Sequence, residues 1–217
     1  RTVYDNIRKV VSWTLPTNGG EALTVIACLL FGLVLPMSAA QILWVNLVTS
    51  ATLGLVLAFE PSEPGVMRRA PRPPEAPLLS RFLVWRVVLV SALFAAACLA
   101  IFFGALARGD ELEAARTLVV NALVVLEIFY LFNVRYLHGG SITLRGVLGT
   151  PAVLIALAAA VAAQLAFTYA PLMNLWFHSR PVALADGVLI VGAGVALMAL
   201  LEGEKALLRR LGVLGQP

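Results

Sequence analysis

Charge is scarce in this chain. Only 13% of its 217 residues are Asp, Glu, Lys or Arg and 60% are hydrophobic, whereas a soluble domain carries about 25% charged residues. An ordinary water-soluble globule is thereby excluded. Cysteine and histidine, at two each, are rarer still. Cys28 and Cys98 both lie inside apolar runs and read as small packing residues, so there is neither a disulfide framework nor a Cys/His metal cluster. His138 and His178 fall in loops and carry no metal role. No basic and aromatic interleaving of the kind that binds nucleic acid is present, which argues against such a partner. The N-terminus lacks the features of a signal peptide: it has no Met and opens on a charged amphipathic segment, so the chain is expected to begin mid-protein. No internal repeat is evident, which weakens the case for an inverted-repeat secondary transporter.

What remains is long apolar runs. Crossing about 30 Å of hydrocarbon takes roughly 20 helical residues, and six runs come near that length: about 13–34, 40–58, 82–106, 115–133, 149–170 and 182–201. Each is broken by Pro, Gly or charge rather than alternating in polarity, which favours helices over the strands of a membrane barrel. The fold class is therefore an all-α membrane protein, a bundle of six transmembrane helices.

Orientation follows from the 16 Lys and Arg residues. With both termini cytoplasmic, Arg1, Arg8, Lys9, Arg68, Arg69, Arg72, Arg81, Arg86, Arg135, Arg145, Lys205, Arg209 and Arg210 fall on the cytoplasmic side. Only Arg108, Arg116 and Arg180 fall outside. The net charge of +4 is thus a topology signal.

Ahead of the first run, Val3, Ile7 and Val10 share one helical face, as in a stalk entering the membrane from the cytosol. Pro16 removes a backbone donor just inside the boundary, and Gly19 and Gly20 follow, so "PTNGGE" is poor helix and a kink is expected there. From Glu60 to Arg81, six prolines in 22 residues rule out a helix; the segment is either a stiff cytoplasmic linker or a docking surface for a cytoplasmic domain. Around 134–148, with Gly139 and Gly140, a shorter cytoplasmic turn is expected. Ala156, Ala159, Ala160 and Ala163 on the fifth run, and Gly187, Gly192 and Gly194 on the sixth, read as helix-packing faces.

Only two of the 12 acidic residues, Glu21 and Glu127, lie deep in the runs; Asp186 lies near the outer end of the last. An intramembrane carboxylate costs about 2.5–3.5 kcal/mol on insertion scales and marks a functional site by default. Asn18 and Glu21 share a face of the first helix, and Asn46, Thr49 and Ser50 share one of the second. Thr49 and Ser50 alone are explained by interhelical hydrogen bonds, each worth about 0.6 kcal/mol. The two glutamates are not, since no Lys or Arg lies at their depth. They are either protonated or hold a cation. Carboxylate, amide and hydroxyl oxygens are hard ligands, suited to Ca²⁺, Mg²⁺, Mn²⁺ or Na⁺.

These residues carry a resemblance. "RTVYDNIRKVV", "PTNGGE", "ILWVNLVTSATLGLVLAFEP" and "GVMRRAPRPPEAPLLS" together resemble the C-terminal membrane half of a P-type cation-transporting ATPase of the calcium and sodium/potassium pump class. The likeness covers nearly the whole chain and is strongest over residues 1–80 and at Glu127. It implies that the six spans are helices five to ten of a ten-helix pump. It also implies that Asn18, Glu21, Asn46, Thr49 and Glu127 match the family's metal ligands. Ser50 departs from the pattern: calcium pumps of the class carry an aspartate there, so one formal charge is missing.

The division implied is a stalk helix at 1–12, an ion-binding helix pair at 13–58 and a Pro/Arg-rich cytoplasmic loop at 59–81. A pair carrying Glu127 at 82–133 and a scaffold pair with a cytoplasmic tail at 134–217 complete it. The expected function is the cation-binding and translocation part of an ATP-driven pump, with Ca²⁺ favoured and Na⁺, Mn²⁺ or Mg²⁺ open. The alternatives are a stand-alone ATP-independent cation or proton transporter and a non-catalytic membrane subunit. The phosphorylated Asp-Lys-Thr-Gly motif is absent, so ATP and its Mg²⁺ would belong to actuator, phosphorylation and nucleotide domains outside this chain, as would the first four helices. The lipid bilayer, in a plasma membrane of bacterial type, is the remaining expected partner.

Overall fold

The computed structural model describes residues 1–61, 80–135 and 150–211. The expectations placed on the Pro-rich segment (62–79), on the turn with His138 (136–149) and on the end of the tail (212–217) lie outside the described residues. All regular structure among those described is helical: α1 (Thr2–Leu30), α2 (Ala39–Thr49), a π-helical turn (Ser50–Gly54), α3 (Leu55–Ala58), α4 (Arg81–Ala107), α5 (Leu112–Arg135), α6 (Pro151–Tyr169), α7 (Pro171–Phe177) and α8 (Leu184–Arg210). Helix starts carry their local signals. The side chains of Ser38, Ser80 and Thr150 each accept from the backbone N–H three residues on, and Gln41 completes a capping box with Ser38.

Among the described residues, five segments are long and apolar enough to cross a membrane: Ala39–Ala58, α4, α5, α6 and α8. The chain is an all-α integral membrane bundle. Helix α1, the first of the six expected spans, falls short of that measure because Pro16, Asn18 and Glu21 interrupt its apolar stretch. It is nevertheless a single helix of 29 residues, about 44 Å long at 1.5 Å per residue. Helix α8 runs nine residues past the expected end at 201, since good helix formers continue after the apolar run and Arg209 and Arg210 favour the C-terminal dipole. Helix α1 lies along α4, α4 along α5 and α5 along α8, while α2, α3 and α6 close the other side. This leaves α5 the most enclosed of the five spans.

The weak helix expected at "PTNGGE" is instead continuous, and its neighbours explain why. Pro16 has no N–H for the carbonyl of Ser12; the hydroxyl of Tyr130 on α5 donates to that carbonyl at 2.8 Å. Ser91 of α4 donates to the Pro16 carbonyl at 3.0 Å. The two glycines let α4 approach: a Cβ on Gly19 would lie 2.3 Å from Ser91 Oγ, and one on Gly20 would lie 2.5 Å from Phe94 Cβ. Gly20→Ala should therefore force α1 and α4 apart and lower stability by about 1–3 kcal/mol, the usual cost of overpacking. Thermal unfolding in detergent micelles reads this out; an unchanged midpoint would show that the contact is not tight.

The small-residue faces on the last two spans are only partly confirmed. Gly194 packs against Phe129, whose Cδ2 would lie 2.3 Å from an added Cβ, but Gly187 and Gly192 have nothing within 4 Å. Ala160 is buried and Ala156 and Ala163 are half-buried, whereas Ala159 is exposed. Helix α8 meets the bundle along one edge of α5, so glycines on its other faces point outward.

Candidate functional site

Asn46, Thr49 and Thr52 all turn their side chains back along their own helix. Asn46 Nδ2 donates to Ile42 O at 3.1 Å, Thr49 Oγ1 to Val45 O at 2.9 Å and Thr52 Oγ1 to Val48 O at 2.6 Å. Three carbonyls spaced along one face thus take side-chain donors, which loosens the helical ladder. The ladder widens to the π turn at Ser50–Gly54. Such turns are rare and frequently mark functional sites.

Across from this stretch lies Glu21 of α1, 5% exposed. Asn46 Nδ2 donates to its Oε2 at 2.7 Å. Glu127 of α5, 1% exposed, lies near both the Thr49 side chain and the Glu21 carboxyl group. Glu21 Oε1 and Glu127 Oε2 are buried without any hydrogen-bond partner. Two orphaned carboxylate oxygens in one low-dielectric region are costly unless a cation or proton joins them. Cys98 of α4, fully buried, lies within electrostatic range of both carboxyls. Among the described residues no group of three or more His, Cys, Asp or Glu could hold a metal ion, so any cation here depends on amide and hydroxyl oxygens as well.

The structure brings together four of the six residues singled out from the sequence: Glu21, Asn46, Thr49 and Glu127. The other two, Asn18 and Ser50, are exposed. Both belong to the helix segments that carry the site, Asn18 one turn before Glu21 and Ser50 next to Thr49.

Sequence reading missed two aromatic residues that hold this geometry. Tyr130 takes up the carbonyl left by Pro16, and Trp13 Nε1 donates to the backbone carbonyl of Glu127 at 3.2 Å. The signal for the first was present, since a proline inside a buried helix orphans one carbonyl and implies a donor nearby. Nothing in the sequence pointed to the second.

A buried charged cluster near the C-terminal end of α5 was missed as well. Arg86 of α4 pairs with Glu204 of α8 and donates to Asn133 Oδ1. Asn133 Nδ2 donates to Glu202 at 2.7 Å, and Lys205 donates to Asn133 O at 2.8 Å and pairs with Glu202 at 3.1 Å. Arg135 pairs with Glu60 at 2.6 Å. These basic residues serve the sequence argument as markers of topology; the structure buries Arg86, Arg135 and Lys205 in hydrogen-bonded pairs.

Comparison with known proteins agrees with this architecture. The family described as "Cation transporting ATPase, C-terminus" matches residues 34–207. The "Probable cation-transporting ATPase F" of Mycobacterium tuberculosis (strain ATCC 25618 / H37Rv) is 41% identical over 209 residues, covering 96% of this chain and 23% of that protein. The "Cation-transporting ATPase pma1" of Synechocystis sp. is 37% identical over 187 residues, covering 84% of the chain and 21% of the relative. The "Calcium-transporting ATPase" of Bacillus subtilis is 31% identical over 205 residues, covering 94% and 23%. The chain thus spans less than a quarter of the length of these relatives. It belongs to the family of cation-transporting ATPase C-terminal domains, the membrane part of P-type cation pumps.

Proposed function

We propose that this bundle binds and translocates a hard cation on behalf of an ATP-driven pump, with Glu21, Asn46, Thr49 and Glu127 as the ligands it supplies from α1, α2 and α5. One observation carries the reading: two buried carboxylates on different helices each keep an oxygen without a hydrogen-bond partner. Asn46, which already gives its Nδ2 to Glu21, has its amide oxygen left as an acceptor, and Thr49 adds a hydroxyl oxygen. Ca²⁺ is favoured, because oxygen ligands of mixed type from a flexible set suit it and because a relative of this chain is named for calcium transport. A serine at position 50 leaves two carboxylates rather than three, which favours a single divalent ion.

Asn18 and Ser50 are exposed beside the site, and there the first four helices expected of a pump would pack and complete the coordination. ATP hydrolysis would take place in domains outside this chain, with α1 carrying their movement to Glu21. The distribution of Lys and Arg favours both ends on the cytoplasmic side of a bacterial-type plasma membrane. The test is cation-stimulated ATP hydrolysis by the full-length protein in proteoliposomes, scanned over Ca²⁺, Mg²⁺, Mn²⁺, Na⁺ and K⁺. Stimulation by one hard cation at micromolar concentration is the expected result. Hydrolysis indifferent to all five would overturn the reading.

A further inference from the structure

One side chain of α1, Trp13, touches both α5 and the π turn that continues α2. It stands eight residues before Glu21 and is 2% exposed. Its indole N–H donates to the carbonyl of Glu127 itself. Its ring lies against the π turn, with Cζ3 3.2 Å from where a Cβ on Gly54 would stand. We propose that Trp13 is a positioning residue for the cation site: wedged between Gly54 and the backbone of Glu127, its indole sets how far the Glu21 and Glu127 carboxylates stand apart. The proposal rests on the cation-site reading above.

Helix α1 is unbroken from Trp13 to Glu21, so a shift of the indole moves Glu21 with it, about 12 Å along the axis at 1.5 Å per residue. The neighbouring Tyr130–Ser12 bond fixes the same two helices one turn further along α5, and together the two bonds suppress rotation of α1 against α5. A filler of equal volume would meet the packing need alone. Here a directed N–H instead meets the backbone of a proposed ligand residue, and Trp, with only two side-chain torsions, is a stiff spacer. Gly54 is the one glycine of the π turn, and the ring occupies the space its missing side chain leaves.

The test uses the full-length protein reconstituted in proteoliposomes and reads both the half-activating cation concentration and the saturated ATPase rate. Trp13→Phe keeps an aromatic ring but removes the N–H and the outer ring that faces Gly54. It should raise the half-activating concentration about 3- to 10-fold, the range for losing one net hydrogen bond, with the saturated rate within about twofold. Gly54→Ala should give a similar shift in the presence of Trp13. In the double variant, Trp13→Phe with Gly54→Ala, the second change should add almost nothing, because the smaller aromatic ring leaves room for the methyl.

Unchanged affinity in both single variants, strictly additive effects, or a lost saturated rate at unchanged affinity would each overturn the proposal. Should Trp13→Phe fail to assemble, Gly54→Ala decides alone by the presence or absence of its shift. Glu21→Gln, run alongside, separates the two levels. If it leaves cation activation intact, the site reading falls and this proposal with it. If it disrupts activation while the Trp13 and Gly54 variants do not, only the positioning role is wrong.

Discussion

Replacing Glu21 by glutamine should weaken cation activation of the full-length protein by at least about 100-fold. Removing one member of a buried charge pair costs about 3–5 kcal/mol, and each 1.4 kcal/mol is a factor of ten. The hydrogen bonds add a directional reason. Glu21 Oε2 already accepts from Asn46 at 2.7 Å, so a glutamine that keeps this bond with its oxygen must turn its NH₂ group toward the position now held by the free Oε1. A donor then faces the cation. Glu127→Gln should act in the same direction, since Glu127 Oε2 is likewise unpartnered. Glu21→Asp keeps the charge but withdraws it by one methylene and should fall between wild type and Glu21→Gln. Half-activating cation concentration in reconstituted protein is the measurement, and activation that survives both glutamine variants unaltered would remove these carboxylates from the site.

Much of this architecture is legible in the sequence because membrane spans are set mainly by length and polarity. The apolar runs at 82–106 and 115–133 end within three residues of α4 and α5. Glu21 and Glu127 stand out for the same reason, as charges where charge is costly. Legibility fails where a contact is decided by a partner helix. Gly19 and Gly20 look like helix breakers until Ser91 and Phe94 are seen against them. Gly187, Gly192 and Gly194 are indistinguishable in sequence, yet only Gly194 meets a side chain. The π turn has no signature of its own; it coincides with three side chains bonded back to carbonyls of their own helix. Helix α7, seven residues long, is too short for periodicity to reveal. Asn18 and Glu21 share spacing and polarity, and only burial separates them.

The buried charges beyond Glu127 on α5 show how a topology signal doubles as structure, and they yield the largest expected change in stability. Arg86→Ala should destabilise the protein by about 3–5 kcal/mol, because it removes the buried guanidinium that pairs with Glu204 and donates to the Asn133 amide oxygen. Arg86 is 1% exposed and Asn133 is fully buried, so water cannot readily replace the guanidinium. Glu204 keeps one bond, from Trp85 Nε1 at 3.1 Å, which limits the loss at that end. Arg86→Lys preserves the charge but not the fork that reaches Glu204 and Asn133 together, so it should recover only part of the stability. The sharper test is the double variant Arg86→Met with Glu204→Gln. Removing both charges avoids stranding either, and it should be more stable than Arg86→Met alone. Thermal unfolding of the full-length protein in lipid nanodiscs gives the comparison. Cation affinity of the surviving folded fraction should stay near wild type, because the Arg86 guanidinium bonds to Glu204 and Asn133 rather than to any of the four proposed ligands. A double variant less stable than either single one would mean that the pair acts through packing volume rather than charge.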